Sequence, residues 1–291
     1  MRLLVTGASG QLGSYLLRES RLRTIDVIAW SGRRQGDLFN RALRPVDLTD
    51  AAAVAAAFHE ARPDVIVHTA ALTAVSDCLR DPQRAETINL QGSALLAELA
   101  HAAKVPLIHV STDMVFDGEN APYREEAQTS PLSVYGRTKA ESERAVLGYP
   151  RNMVVRLPLL FGPSLIGRPT FFDQLVLALA QGQRVTLFHD EWRTPLSLLT
   201  AARGLLALTE ANPTGLLHLG GPERLSRLEM GQRLAAFLGC NPAPITAVSR
   251  YSAAGEPRPR DLSLDSLKWR NLFPHQEWPA YEQALSQLML S

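Results

Sequence analysis

Three glycines just behind a short apolar strand constrain this chain more than any other feature. The run Thr6-Gly7-Ala8-Ser9-Gly10-Gln11-Leu12-Gly13 follows Arg2-Leu3-Leu4-Val5 and opens a helical pattern over Gln11–Ser20. A strand that turns through glycines into a helix brings bare backbone to the helix N-terminus. Free N–H groups and the positive end of the dipole meet there, which makes a seat for phosphates. The glycines allow the sharp turn, the close approach of a ligand and the packing of helix on strand. Gly7, Gly10, Gln11, Leu12 and Gly13 are therefore candidate contacts of a dinucleotide. The spacing is G-x-x-G-x-x-G, not the G-x-G-x-x-G of ordinary dinucleotide dehydrogenases.

The alternation continues. Residues 25–30, 64–68, 105–111 and 152–157 read as further strands, and several are unbroken apolar runs, as expected when both sheet faces are covered. Helical patterns lie between them at 50–61, 82–103 and 135–147, with Asp50 as an N-cap and Pro82 in a first turn. This predicts an α/β fold: a Rossmann-type doubly wound parallel sheet with a smaller C-terminal substrate domain. In the second half, 171–180, 197–210, 226–238 and 279–290 read as helices and 216–219 as a strand, amid dense turn signals such as Gly220-Gly221-Pro222. The expected division is a dinucleotide-binding domain at 1–160 plus about 185–211, and a substrate domain from about 161–184 and 212–291. A chain of 291 residues suits one large and one smaller unit.

Bulk properties remove several function classes. A net charge of +1 gives no long-range pull on nucleic acid or an anionic membrane. The N-terminus shows no basic stretch followed by an apolar one, and no span suits a bilayer, so the expected compartment is the cytoplasm. Cys78 and Cys240 match no metal spacing and are expected to be reduced, buried thiols. His68, His109 and His189 match no metal pattern either and read as core or surface residues.

The end of the second strand speaks to the choice of dinucleotide. An acidic residue there would hold the ribose 2′-hydroxyl of NAD. The sequence instead runs Ala29-Trp30-Ser31-Gly32-Arg33-Arg34. With no repelling carboxylate and two guanidinium forks, Arg33 and Arg34 favour a 2′-phosphate, hence NADP(H). A solvated basic turn is the alternative.

Tyr135 and Lys139 are four residues apart in Tyr135-Gly136-Arg137-Thr138-Lys139, which puts them on one helix face. A free tyrosine titrates near 10, and a neighbouring ammonium stabilises its phenolate. Such a tyrosine can protonate an alkoxide formed when hydride arrives from a nicotinamide. A surface pair would have the same spacing. Ser111-Thr112-Asp113, ending an apolar strand, supplies hydroxyls at the sheet edge where open α/β sheets place ligands.

Taken together, these residues resemble the short-chain dehydrogenase/reductase superfamily. The finer resemblance is to dTDP-4-dehydrorhamnose reductases and their relatives. It is carried by Thr69-Ala70-Ala71-Leu72-Thr73-Ala74-Val75, by Ser111-Thr112-Asp113-Met114-Val115-Phe116-Asp117-Gly118, by Ser130 through Lys139 and by Arg156 through Gly162. It covers the first 165 residues or so well and the rest loosely, including Arg193-Thr194-Pro195. The resemblance implies Thr112 as hydroxyl donor, Tyr135 as the acid and Lys139 as its electrostatic partner. It also implies Gly10, Gln11 and Leu12 on the phosphates, Asp47 and Leu48 near adenine, and Thr69, Ala70 and Ala71 beside the cofactor. For Asp47 a plain turn before a helix is the alternative, and for Asn89 a satisfied core amide.

Some positions depart from the pattern. The family usually has tyrosine at Met114, an aromatic residue or histidine at Leu72 and an acid at Ser76; a tryptophan of some members corresponds to Leu159. The expected activity is NADPH-dependent reduction of a 4-keto nucleotide sugar, with the sugar left open. The partners expected are a nucleotide-sugar substrate and a second copy in a homodimer. Arg258 and Arg260 are candidates to clamp the substrate pyrophosphate, against a solvated loop. Two other readings stand beside this one. A non-enzymatic binding subunit, resembling the regulatory subunit of methionine adenosyltransferase, shares these motifs. An epimerase or dehydratase with tightly held NAD would call for an acid after the second strand and a longer chain.

Overall fold

The computed structural model describes residues 1–23 and 25–290. The first half runs β1 (Arg2–Thr6), α1 (Gln11–Ser20), β2 (Asp26–Ser31), β3 (Asp37–Leu38), β4 (Arg41–Pro45), α2 (Ala51–Ala61) and β5 (Val65–His68). Next come α3 (Val75–Arg80), α4 (Pro82–Glu86), a π-helical stretch at Thr87–Gln91, and α5 (Gly92–Ala102). β6 (Leu107–Thr112), α6 (Val134–Leu147) and β7 (Met153–Leu157) complete the alternation. Beyond lie β8 (Leu160–Phe161), α7 (Phe171–Ala180), β9 (Val185–Phe188), β10 (Trp192–Arg193), β11 (Leu196–Ser197) and α8 (Leu198–Ala211). β12 (Gly215–His218), β13 (Leu225–Ser226), α9 (Arg227–Phe237), β14 (Ile245–Val248), α10 (Leu267–Leu272) and α11 (Tyr281–Leu290) end the chain.

Eight strands form the main sheet in the order β12-β7-β6-β5-β1-β2-β4-β3, parallel except for the antiparallel β3–β4 pair. From β1 the chain builds outward through β2 and β4, then crosses back to β5 and builds the other way. Ligands of open sheets bind outside the strand C-termini at such a reversal, and the glycine turn after β1 sits there. Alternate strand residues explain the apolar runs. Leu3, Val5, Val67 and Val155 belong to one core with α1 and α8 residues, while Leu4, Ile66, Leu107 and Val154 belong to another with α2 and α5 residues.

Two expectations need correction. The segment expected as a helix at 82–103 is helical from Pro82 to Ala102, but Thr87–Gln91 within it takes the wider π form, and a short helix, α3, precedes it. Asp81 caps its start by accepting from the Arg84 N–H, with Pro82 in the first turn as expected. The two parts also interleave differently from the expected division. Residues 215–218 pair with β7 in the main sheet, and 185–188 pair with β14 instead. Leu217 is fully buried in the main core, which draws β12 to the sheet edge. Leu175, Leu234, Tyr281 and Leu285 belong to that same core, so the later helices pack onto the sheet instead of forming a separate interior. Both cysteines are free; Cys78 is buried, but Cys240 is only half-buried. Among the described residues no helix is long and apolar enough to cross a membrane.

Candidate functional site

A cleft of about 1070 Å³ opens at the C-terminal edge of the sheet, lined by the glycine turn on one side and by residues of α7, α9 and α11 on the other. The turn has its shape for steric reasons. Gly7 has φ +69°, and a Cβ there would come within 2.7 Å of the Ala70 nitrogen. A Cβ on Gly13 would collide with the Gly7 carbonyl. Gly10 is the N-cap of α1 and offers no side chain to it, so the first N–H groups of the helix are left for a ligand. This bare cradle fits a pyrophosphate. Gly7, Gly10, Gln11, Leu12 and Gly13 all line the cleft, as do Thr69, Ala70 and Ala71 opposite.

The far end holds Arg33, Arg34, Asp47 and Leu48. Both arginines are exposed. Arg34 Nη1 donates to the Ile166 carbonyl at 3.3 Å, and the Ser31 hydroxyl donates to the Arg34 carbonyl. Asp47 accepts from the Thr49 backbone at 3.0 Å and hydroxyl at 2.8 Å. Those bonds, with Arg33 and Arg84 nearby, hold its carboxyl below the usual range. Gln11 reaches across to Ser164 and to the Arg168 carbonyl at 2.9 Å. Together with Arg34 it clasps the 163–170 loop along the cleft.

Thr112, Tyr135 and Lys139 line the same cleft. Gly136 explains how they meet: a Cβ there would collide with the Met114 carbonyl, so only glycine lets α6 press against the end of β6. Ser133 caps α6 through the Gly136 N–H at 3.0 Å, one residue from Tyr135. The sequence led us to expect a phenol lowered by Lys139. The structure gives the other direction: burial and then the Asp113 carboxylate push Tyr135 up, opposed by a hydrogen bond with Thr112. Lys139 Nζ lies 2.9 Å from His109 Nε2, and burial draws its ammonium down to about 7 against the pull of Glu143.

The lesser candidates are placed as clearly. Asn89, fully buried on the π stretch, accepts from Leu72 N at 2.8 Å and donates to Leu72 O and the Thr138 hydroxyl, both at 3.1 Å. It is a satisfied amide that fixes the backbone beside the cleft. His68 bonds Thr6 at 2.6 Å and Ser93 at 2.9 Å, inside the core. Leu72 and Leu159 line the cleft, whereas Met114 packs beside Val115 and Phe116. Arg258 and Arg260 do not line it. Glu191, fully buried, holds the Arg258 guanidinium, and Arg260 faces Glu119 at 3.9 Å. Among the described residues no cluster of His, Cys, Asp and Glu could hold a metal.

Comparison with known proteins matches this arrangement to one family. The profile described as RmlD substrate binding domain matches residues 1–290. The chain belongs to that family. It is 34% identical to a dTDP-4-dehydrorhamnose reductase of Streptomyces griseus over 96% of this chain and 91% of that one. It is 31% identical to methionine adenosyltransferase 2 subunit beta of Pongo abelii, over 96% and 84%. A solved dTDP-4-dehydrorhamnose reductase from Clostridium acetobutylicum superposes with a TM-score of 0.86 at 25% identity, covering 99% of this chain and 98% of that one.

In this RmlD-family chain, sequence reasoning missed the far wall of the cleft: Phe171, Arg227, Met230 and Tyr281. Arg227 faces Glu191 at 3.7 Å, and the Glu191 carboxylate also takes Arg258. Burial brings the Arg227 guanidinium down to about 10. The local signal for α9 was legible, since Ser226 and Glu229 form a capping box. Nothing in that pattern says its first residue turns into a cleft.

Proposed function

We propose that this chain is an NADP(H)-dependent oxidoreductase that reduces a keto carbon on a nucleotide-linked sugar. One observation carries the reading: Thr112, Tyr135 and Lys139 line the same cleft as an uncapped glycine turn. The dinucleotide, when bound, supplies the hydride. Gly10, Gln11 and Leu12 offer backbone to its pyrophosphate, and Arg33 and Arg34 take the 2′-phosphate. Thr112 donates a hydrogen bond to the substrate carbonyl oxygen. Tyr135 donates its proton to the same oxygen as the alkoxide forms. A phenol kept protonated by burial and Asp113 is the form this direction needs. Lys139 then stabilises the phenolate left behind. The relatives named as dTDP-4-dehydrorhamnose reductases support a substrate of that kind.

The direct test is to mix the protein with NADPH and a panel of dTDP-linked 4-keto-6-deoxy sugars, with no partner protein, and follow nicotinamide absorbance. We expect oxidation with at least one sugar. Sugars that bind but never oxidise NADPH would favour a binding subunit, the reading to which Leu72, Leu159 and the methionine adenosyltransferase relatives lend weight. A second test concerns the cofactor. Charged hydrogen bonds to a phosphate are worth roughly ten- to a hundredfold in affinity. Arg33→Ala/Arg34→Ala should lose about that much for NADPH and leave NADH nearly unchanged. A double variant that keeps its NADPH preference would refute the assignment.

A further inference from the structure

Lysine carries three N–H donors and accepts nothing. A buried ammonium therefore needs acceptors in fixed places, and the cleft can supply only those on its own side. For Lys139 one acceptor lies behind the cleft: Nε2 of His109, at 2.9 Å. Lys139 is 2% exposed and His109 0%. His109 and Ser111 are two apart on β6 and so face the same way, toward Lys139, Ser142 and Glu143 on α6. Ser142 Oγ lies 3.0 Å from the same Nε2, but its hydroxyl donates to the Lys139 carbonyl at 2.8 Å. Since an ammonium can only donate, the tautomer that pairs with it carries its proton on Nδ1 and leaves the Nε2 lone pair free.

We propose that His109 is a positioning residue: its neutral imidazole accepts one Lys139 N–H, keeping the ammonium charged and its remaining donors toward the cleft. The proposal rests on the reading of Lys139 as part of the reaction. His109 Nδ1 is buried with no hydrogen-bond partner among the described residues, and leaving a buried polar nitrogen unpaired is unfavourable. A hydrocarbon side chain would fill this place without that penalty, so the advantage of histidine lies at Nε2.

The surrounding charges fit. Burial, and then the charge on Lys139, hold His109 well below its usual range, so it stays an acceptor. His68 on β5, with its ring 5.2 Å away, is held neutral by burial, at about 3. From α6, Glu143 supports the ammonium, but its carboxylate is already shared with Arg156 on β7. Burial already draws Lys139 down to about 7, and losing an acceptor for its N–H disfavours the charged form further.

The chain has three lysines, Lys104, Lys139 and Lys268, and the other two are exposed. Titration of a lysine-labelled protein by NMR, without cofactor, therefore reads Lys139 directly. In His109→Leu its midpoint should fall by about one pH unit or more, and NADPH should bind several-fold more weakly. In His109→Gln, whose amide oxygen replaces the acceptor, most of both effects should be absent. A midpoint in His109→Leu equal to wild type overturns the proposal. If that variant does not fold, His109→Asn is compared with His109→Gln; the shorter amide should lose the midpoint and the longer one keep it, and equal midpoints overturn the proposal. Wild-type protein that failed to bind NADPH would sink the cofactor reading and leave the lysine titration as informative as before.

Discussion

Tyr135→Phe should bind NADPH almost as wild type does and reduce substrate about 100- to 10,000-fold more slowly, the usual contribution of a general acid. The ring keeps its place because α6 is fixed without the hydroxyl: Ser133 caps it, and Gly136 packs against the Met114 carbonyl. The hydroxyl's own partner, Thr112, still bonds Met114 N at 3.2 Å and Asp113 at 3.2 Å. Only about one hydrogen bond is lost to stability, on the order of 1 kcal/mol. The chemistry loses the proton source that the reading assigns to it. Asp113, pushed up by burial, is held by Arg193 at 3.4 Å. Steady-state turnover gives the rate, and quenching of protein fluorescence by NADPH gives the affinity. A variant with full turnover would remove Tyr135 from the mechanism. A variant that loses turnover and cofactor affinity together would assign Tyr135 to binding instead.

What was legible in the sequence follows a physical line. The sheet could be read because each strand is apolar on both faces, and α1 was placed to the residue because Gly10 must start it. The near wall of the cleft could be read because glycines and terminal hydroxyls are local necessities: Gly7 needs its positive φ, and Thr112 ends a strand. The short helix α3 ahead of Asp81 could not, because six residues are too few to show a helical period. The far wall could not either. Arg227 is set by how α9 packs on β9 and β13, a long-range matter with no trace in the residues around it. The direction of the Tyr135 shift was misread for the same reason. Spacing shows that Lys139 is one turn away, but not how far burial disfavours the phenolate, or that Asp113 lies nearby.

The same helix carries the largest expected effect on stability. Glu143 is 3% exposed and grips Arg156 through two bonds, 2.9 Å to Nε and 2.6 Å to Nη2, while accepting from Ser111. Arg156, itself 3% exposed, has His218 at 3.2 Å and lies over the Phe116 ring at 4.9 Å. Glu143→Gln leaves that guanidinium buried without its counter-charge, and breaking such a pair costs about 3–5 kcal/mol. Urea unfolding followed by circular dichroism should show a loss of that size. Replacing both partners tests the cause. Glu143→Leu/Arg156→Met removes the stranded charge along with the pair, so it should recover most of the loss. A single variant costing less than about 1 kcal/mol, the range of an exposed pair, would mean that water reaches this site. Glu143 lies one turn from Lys139 and joins α6 to β6 and β7, the strand pair that carries Thr112 and His109. Its loss should therefore also lower the Lys139 midpoint, since its charge is what opposes burial there. The double variant, though stable, should not restore that midpoint. A recovered fold with a still-depressed lysine would separate the two tasks of one carboxylate: holding the helix down, and keeping its ammonium charged.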